Sequence, residues 1–473
     1  MSSDPKASEI LISIVRKKSV ASLSGISFQP VIFTPTGWKP IPPRFRRMLS
    51  FKTLLATIVL FSVGCDTKTT TFEANRLLTA RMQAELQVDL SSIENQVQSA
   101  LTDLFGTPDH PHWPDSIESS SDFKSMVESG SLDRAAGPVN RDNRLVERGL
   151  FRKHCAQCHG IAGDGLGPAA ALLNPYPRDF RRGSFKFKST PQGAKPLLSD
   201  LVRTIEIGIP GTSMPAMANL VQDSHYDNDI PILANYVQFL AMRGEVERRL
   251  MMELVRDVDV DAGETVYDVS LKEKDPSKFA AQASKIDEIV AKVARSWVTT
   301  KVSQASEDHL PRLKVSHSLE GTNREIFLES AIRGRKLFQS ETAACWQCHG
   351  KDGSGKGKLV DFDEWTKDWT IRSGIDPKDP KQWKPLKKFG LLKPIPVSAR
   401  NLHLGVFRGG NSPDAIFRTI VHGIEGTPMP AAALQPSVKN GLTEDQVWDL
   451  VHFCQSLGIA DLCESMEANH SGT

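Results

Sequence analysis

The chain has 473 residues, enough for two or three domains, with 7 cysteines and a formal net charge of +2. The first 64 residues hold 9 Lys and Arg against 2 Asp and Glu, so they carry +7, and residues 65–473 carry −5, the difference between +2 and +7. An acidic body excludes nucleic acid as a partner and favours a protein with a basic docking patch.

Residues 1–47 contain Pro30, Pro35, Pro40, Pro42 and Pro43 and no periodic segment. Residues 54–63 read LLATIVLFSV, a short apolar run behind Arg44, Arg46, Arg47 and Lys52. The run is too short for a span of ~20 apolar residues, and residues 1–64 are expected to be an export signal region. Met48 would open a compact signal, so translation is expected to begin there. The run ends at Gly64-Cys65, which resembles a bacterial lipoprotein signal. That resemblance implies lipidation of Cys65 and a membrane contact through an N-terminal lipid anchor. A plain signal peptide and a single membrane anchor are the alternatives.

Residues 65–140 are expected to be a tether followed by a helical extension. Leu77, Leu78, Met82, Leu86, Leu90, Ile93, Val97, Leu101 and Leu104 fall at three- and four-residue steps, so the stretch from about Phe72 to Leu104 reads as helical. An apolar stripe of this kind is either core against the next domain or a docking face for a partner.

Two short stretches carry the chemistry. Cys155-Ala156-Gln157-Cys158-His159-Gly160 recurs as Cys345-Trp346-Gln347-Cys348-His349-Gly350. Cys-x-x-Cys-His is the attachment signature of c-type haem. Each thiol adds to one vinyl group, and the following His donates a ring nitrogen to the iron. A zinc site would need two more ligands at each pair, and a redox dithiol does not call for the His. The flanks repeat as well. Gly163, Gly165 and Gly167 fall on Gly353, Gly355 and Gly357, and Gly211–Ala216 (GTSMPA) falls on Gly426–Ala431 (GTPMPA). Leu233, Tyr236 and Leu240 fall on Leu450, Phe453 and Leu457. This is an internal repeat.

With these motifs the sequence resembles the class I cytochrome c family in a tandem dihaem form. The resemblance implies an all-α fold with cytochrome c domains over 141–243 and 323–460. It implies two haem c groups, on Cys155 and Cys158 and on Cys345 and Cys348. Axial ligands are then His159 with Met214, and His349 with Met429; Met217 is a rival that the repeat disfavours. Pro168 matches the family proline whose carbonyl accepts the axial His ring N–H, a bond that orients the ring. Lys358 stands in its place in the second copy, so His349 is expected to find a different partner. Arg178, with Arg400 in the second copy, matches an arginine that reaches a propionate or a neighbouring loop. A helix from Asn143 is expected to lead into Cys155, with Glu147 where the family has Gly.

Arg243-Gly244 is expected to close the first domain, and residues 244–322 read as a helical connector or a partly solvated linker. Cys155 to Arg178 is 23 residues, but Cys345 to Arg400 is 55. The 32 extra residues hold Trp365, Trp369, Trp383, Lys384, Lys387 and Lys388. They are expected near the second haem edge, as a docking lip or as a cover against water. Residues 461–473 are a tail. Cys454 replaces Val237 inside the last helix, and a disulfide from it to Cys463 is expected in an oxidising compartment. The alternative is a buried Cys454 and a free Cys463.

A haem with both axial positions filled can only gain or lose an electron. The expected function is therefore periplasmic electron transfer between a redox donor and an acceptor, by a chain that is not an enzyme. It would be periplasmic, or membrane-anchored and facing the periplasm. Alternatives are an electron-entry subunit of a larger oxidase or dehydrogenase complex and, less favoured, a dihaem peroxidase.

Overall fold

A computed structural model of the chain describes residues 70–126, 131–141, 143, 146–218, 229–299, 321–438 and 440–462. The export signal, Met48, Cys65 and Cys463 lie outside the described residues. What is described is mostly helical, with two-residue ladders as its only strands.

The N-terminal stripe forms two helices, α1 (Arg76–Leu86) and α2 (Ser91–Phe105), not one continuous segment. Gln87 ends α1 in the left-handed region, with φ 60°. The Asp89 carboxylate then accepts from Ser91 N–H at 3.0 Å and Ser91 Oγ at 2.6 Å, which starts α2. The stripe is core. Ile93, Val97, Leu101 and Phe105 are buried in the same cluster as the first domain, and Phe105 meets Phe239 edge-on at 5.7 Å.

The helix expected from Asn143 is absent. Residues Asn140–Arg141 pair antiparallel with Glu147–Arg148, and α3 spans only Leu150–His154. Gly149 makes the reversal at φ 75°, where an added Cβ would stand 2.7 Å from the Pro138 carbonyl oxygen. α4 (Ala156–His159) is the single turn carrying the first Cys-x-x-Cys-His. α5 (Leu198–Ile207) and the long α6 (Asp229–Arg249) complete this region. α6 crosses the boundary expected at Arg243-Gly244. Val246 and Leu250 beyond it are fully buried. Gly244 is not a helix stop: a Cβ there would lie 2.4 Å from Arg181 Cα, so the glycine admits the neighbouring backbone. α7 (Pro276–Val298) is capped by Asp275, which accepts from Lys278 N–H at 3.1 Å. Its Ile286, Val290, Val293 and Trp297 join the same core, and Trp297 Nε1 donates to Glu245 at 2.9 Å. The connector is therefore packed structure over this helix.

The second domain has its own core. α8 (Thr322–Phe338) leads to α9 (Trp346–His349), and α11 (Pro413–His422) and α12 (Glu444–Leu457) follow the insertion, in which α10 spans Glu364–Trp369. α8 and α12 cross at Gly334, where a Cβ would stand 2.0 Å from the Asp449 carbonyl oxygen. Ser330 and Arg333 tie the crossing to the Asp449 carboxylate. Phe338 meets Phe453 at 5.0 Å, as Phe151 meets Tyr236 at 5.1 Å in the first domain.

The insertion reaches further than the second haem edge near which it was expected. Trp369, Ile375, Trp383, Leu386 and Leu391 form a small core with Ala80 and Ala84 of α1. The segment thus clasps the first domain, while Glu364 N–H keeps it on its own methionine loop by donating to the Gly426 carbonyl at 3.0 Å. Asp368 is the polar centre of that clasp, 3.4 Å from Arg81 and Arg248, 3.6 Å from Arg372 and 4.0 Å from Arg182. Burial alone would raise its carboxyl pKa, but these four arginines outweigh that and hold it below the usual carboxylate value.

Asp368→Asn is expected to cost about 1–2 kcal/mol and to speed amide exchange over Glu364–Trp369. Because the folded-state pKa is lowered, the contribution is present above the unfolded value of ~3.9 and is lost as pH falls through the folded one. Gly334→Ala should destabilise the second domain by about 1–3 kcal/mol or more in thermal unfolding, since backbone must move to admit the methyl.

Candidate haem-binding sites

Each Cys-x-x-Cys-His turn is closed by the glycine run behind it. Gly165 N–H donates to the His159 carbonyl at 2.9 Å and Gly167 N–H to the Cys158 carbonyl at 3.1 Å. Gly355 and Gly357 do the same to His349 and Cys348, at 2.8 and 3.1 Å. A Cβ on Gly167 would stand 2.4 Å from the Ala156 carbonyl oxygen, and one on Gly357 2.2 Å from that of Cys348. The third glycine of each run is needed for this closure.

The bond that orients each histidine differs from expectation. His159 Nδ1–H donates to the Arg178 carbonyl at 3.2 Å, not to Pro168. His349 Nδ1–H donates to the Arg400 carbonyl at 3.4 Å, so replacing the proline by Lys358 does not change the kind of partner. The reason lies in Gly165 and Gly355. Their missing side chains admit the segments at Pro177–Asp179 and Ala399–Asn401, whose atoms would lie 2.7–3.3 Å from an added Cβ. Burial lowers the pKa of both imidazoles. A neutral ring with Nδ1–H engaged leaves Nε2 with a lone pair. His159 also stacks on Phe180, with centroids 4.7 Å apart.

The methionine loops match bond for bond. Ile209 N–H donates to the Met214 carbonyl at 3.1 Å, and Met214 N–H to Thr212 Oγ1 at 3.1 Å. Ile424 and Thr427 hold Met429 in the same way, at 3.2 and 3.3 Å. Met217 N–H donates to the Ile205 carbonyl, and Ala432 to that of Ile420, both at 3.0 Å, so Met217 corresponds to Ala432.

Cys155, Cys158, His159, Met214 and Met217 line one cavity of about 410 Å³, within the ~300–1,000 Å³ typical of ligand sites. Arg178, Phe180 and Lys186 line it from the first domain. Trp365, Leu392, Ile395 and Arg408 line it from the second, so the insertion covers the cavity of the other domain. Nothing in the linear order of the chain marks these four residues as belonging to the first site.

Arg178 and Arg400 both reach across the domain boundary. Arg400 Nη2 lies 3.0 Å from where a Cβ on Gly211 would stand, and Arg178 Nη1 lies 3.7 Å from the same point on Gly426. Among the described residues, buried Arg178 Nη2, Arg400 Nε and Arg408 Nε have no hydrogen-bond acceptor.

Burial pushes the Cys155 thiol pKa up to about 12 and that of Cys345 up to about 11, and it raises that of Cys348 as well. Cys454 is buried beside Cys345, and burial raises its thiol pKa too. A zinc site would need further ligands, and among the described residues no three His, Cys, Asp or Glu side chains converge. The residues present fit a haem. There are paired thiols, an imidazole with a free nitrogen, a cavity of suitable size and buried cationic N–H groups without acceptors.

The cytochrome c family model matches residues 148–241 and 331–458. These two regions support a tandem cytochrome c, with covalently bound haem c and an electron-transfer role. No curated protein matches the chain. Among solved structures, a chain of the Kuenenia stuttgartiensis reducing HAO-like protein complex is similar at 20% identity and a TM-score of 0.38. The match covers 65% of this chain and 94% of that one. It corrects the expectation that the chain is not an enzyme, because the matched chain comes from a complex described as HAO-like; that exclusion is withdrawn. At this TM-score the likeness carries no activity over to the present chain.

Gly355→Ala is expected to destabilise the second domain by about 1–3 kcal/mol, since φ is 79° and the methyl would meet the Ala399 and Arg400 backbone. It should also move the Arg400 carbonyl away from His349, read as a shift in one redox midpoint and not the other.

Proposed function

We propose that this chain is an exported dihaem cytochrome c that passes electrons between two redox proteins. The carrying observation is the bond-for-bond repeat of the two histidine turns and two methionine loops. In this reading Cys155 and Cys158 hold one haem by thioether bonds, and Cys345 and Cys348 hold the other. His159 Nε2 and the Met214 sulfur are the axial donors of the first, and His349 Nε2 and the Met429 sulfur those of the second. Haem held this way supplies a one-electron couple, and Met ligation raises its potential relative to bis-His ligation.

The chain's own contribution is orientation and exclusion of water. The Arg178 and Arg400 carbonyls fix the imidazole planes. Thr212 and Thr427 hold the loops that present the methionines. Phe180, Phe185, Met217 and Trp365 give the first cavity an apolar lining. Residues 48–65 support export, and a Gly64-Cys65 end supports a lipid anchor that leaves the body of the chain in the periplasm.

Intact mass of the mature protein is expected to show two covalent haems and a lipidated Cys65; a single haem overturns the reading. Met214→Ala and Met429→Ala should each remove one Met-sulfur charge-transfer band. Each should lower one midpoint by on the order of 100 mV, inside the ~0.8 V that axial ligands span. If Met217→Ala does this and Met214→Ala does not, the ligand assignment of the first site fails.

A further inference from the structure

The insertion of the second domain carries a charge pattern that neither haem site uses. Residues 376–393 hold Lys378, Lys381, Lys384, Lys387, Lys388 and Lys393 against Asp376 and Asp379, a net +4 in a body that carries −5. All six lysines are exposed. Both acids are taken up by turns: Asp376 accepts from Lys378 N–H and Asp379 from Lys381 N–H, each at 2.9 Å. Among the described residues, Lys378, Lys381, Lys384, Lys387 and Lys393 make no ion pair.

The backbone sorts these side chains. Pro380–Trp383 and Lys384–Phe389 run on as one helical stretch, the second part a 3₁₀ helix. Side chains three apart eclipse in a 3₁₀ helix. Trp383, Leu386 and Phe389 therefore share one edge, which packs with Ala80 and Ala84 of α1. Lys384 and Lys387 share the next edge and stay in water.

The patch stands beside the first cavity. A Cβ on Gly390 would lie 2.7 Å from Leu166 Cδ1, and Tyr176 Oη donates to the Lys393 carbonyl at 3.0 Å. Leu392, Ile395 and Pro396 then line that cavity, together with Leu173–Tyr176. Leu172, the next residue back, is 87% exposed. An apolar centre with a polar, charged rim is the anatomy of a docking face.

Resting on the electron-transfer reading above, we propose that this face docks an acidic redox protein that exchanges electrons with the first haem. One electron passes between the partner's centre and the haem iron, and no bond forms or breaks. The net charge of the body would favour a basic partner, but salt screens charges beyond ~10 Å at 0.1 M, so the local patch governs a docked encounter. The lysines adjoin the cavity that the electron must enter or leave, a placement that an anionic lipid surface would not use.

Electron-transfer rates of the full two-haem chain test this. The probe is an acidic [2Fe–2S] ferredoxin, reduced beforehand and mixed with the oxidised protein in stopped flow. Its second-order rate should fall as salt rises, because local attraction is screened. Two net-negative proteins meeting elsewhere would react faster with added salt. Lys384→Gln/Lys387→Gln/Lys393→Gln should slow ferredoxin at least about tenfold at low salt and flatten the salt dependence. Reduction by ascorbate, the haem count and both Met-sulfur bands should not change. Lys351→Gln/Lys356→Gln/Lys358→Gln removes as many exposed lysines near the second attachment turn and should leave the ferredoxin rate as it was. A wild-type rate that rises with salt, or a loss from the second triple variant as large as that from the first, overturns the proposal.

Hydrogen–deuterium exchange at low salt separates the occupants. Ferredoxin should slow exchange over residues 381–393, and phosphatidylglycerol vesicles should not. Protection by the vesicles, or none by ferredoxin, overturns the proposal. Fewer than two haems on the wild-type chain would defeat the functional reading instead, a failure read by mass and separate from the exchange result.

Discussion

The ring N–H of a buried histidine, given to a main-chain carbonyl, is the constraint on which both sites depend. His159 meets the Arg178 carbonyl and His349 meets that of Arg400. That bond needs the arginine segment to lie against the haem-attachment turn, and only a glycine at 165 or 355 lets it approach. The same segment then delivers its side chain away from the histidine, across the boundary to the other domain. One residue thus sets the imidazole with its backbone and meets the neighbouring domain with its guanidinium.

The parts outside the repeat hold the two sites in one arrangement. α1 and α2 fill the outer face of the first domain, and α7 covers another, through Trp297 against Phe185 and Glu245. The second domain answers with its insertion, which packs on α1 and gathers Arg81, Arg182 and Arg248 around Asp368. Among the described residues the first cavity itself is lined by two separated stretches of chain, 151–237 and 363–408. The two domains solve the same packing problem differently. In the second, a full-length α8 crosses α12 at Gly334; in the first, α3 is a short stub behind the turn at Gly149.

The sequence showed most where residue type and spacing are dictated by local chemistry. Cys-x-x-Cys-His, the Gly-x-Gly-x-Gly run and the GTxMPA loops are short, and their hydrogen bonds close within the motif. The repeat also aligned Tyr236 with Phe453, and each meets the phenylalanine ahead of its own haem-attachment turn, Phe151 and Phe338, ring to ring. Reading failed where a partner lies far along the chain. Pro168 and Arg178 are both near His159 in sequence, and only the approach allowed by Gly165 selects the Arg178 carbonyl. Arg243-Gly244 reads as the close of the first domain, but Gly244 is an opening for Arg181 inside a continuous helix.

The sequence by itself determined a mostly helical chain with two haem-attachment turns and two methionine loops, because each is written in contiguous residues. The tertiary structure decided that the insertion covers the first cavity, that α7 is core and that Arg178 and Arg400 exchange places across the boundary. Those outcomes depend on which surfaces exclude water together. Packing of that kind pairs residues such as Trp365 and Met214, or Arg81 and Asp368, that are far apart in the chain and carry no local signal of each other.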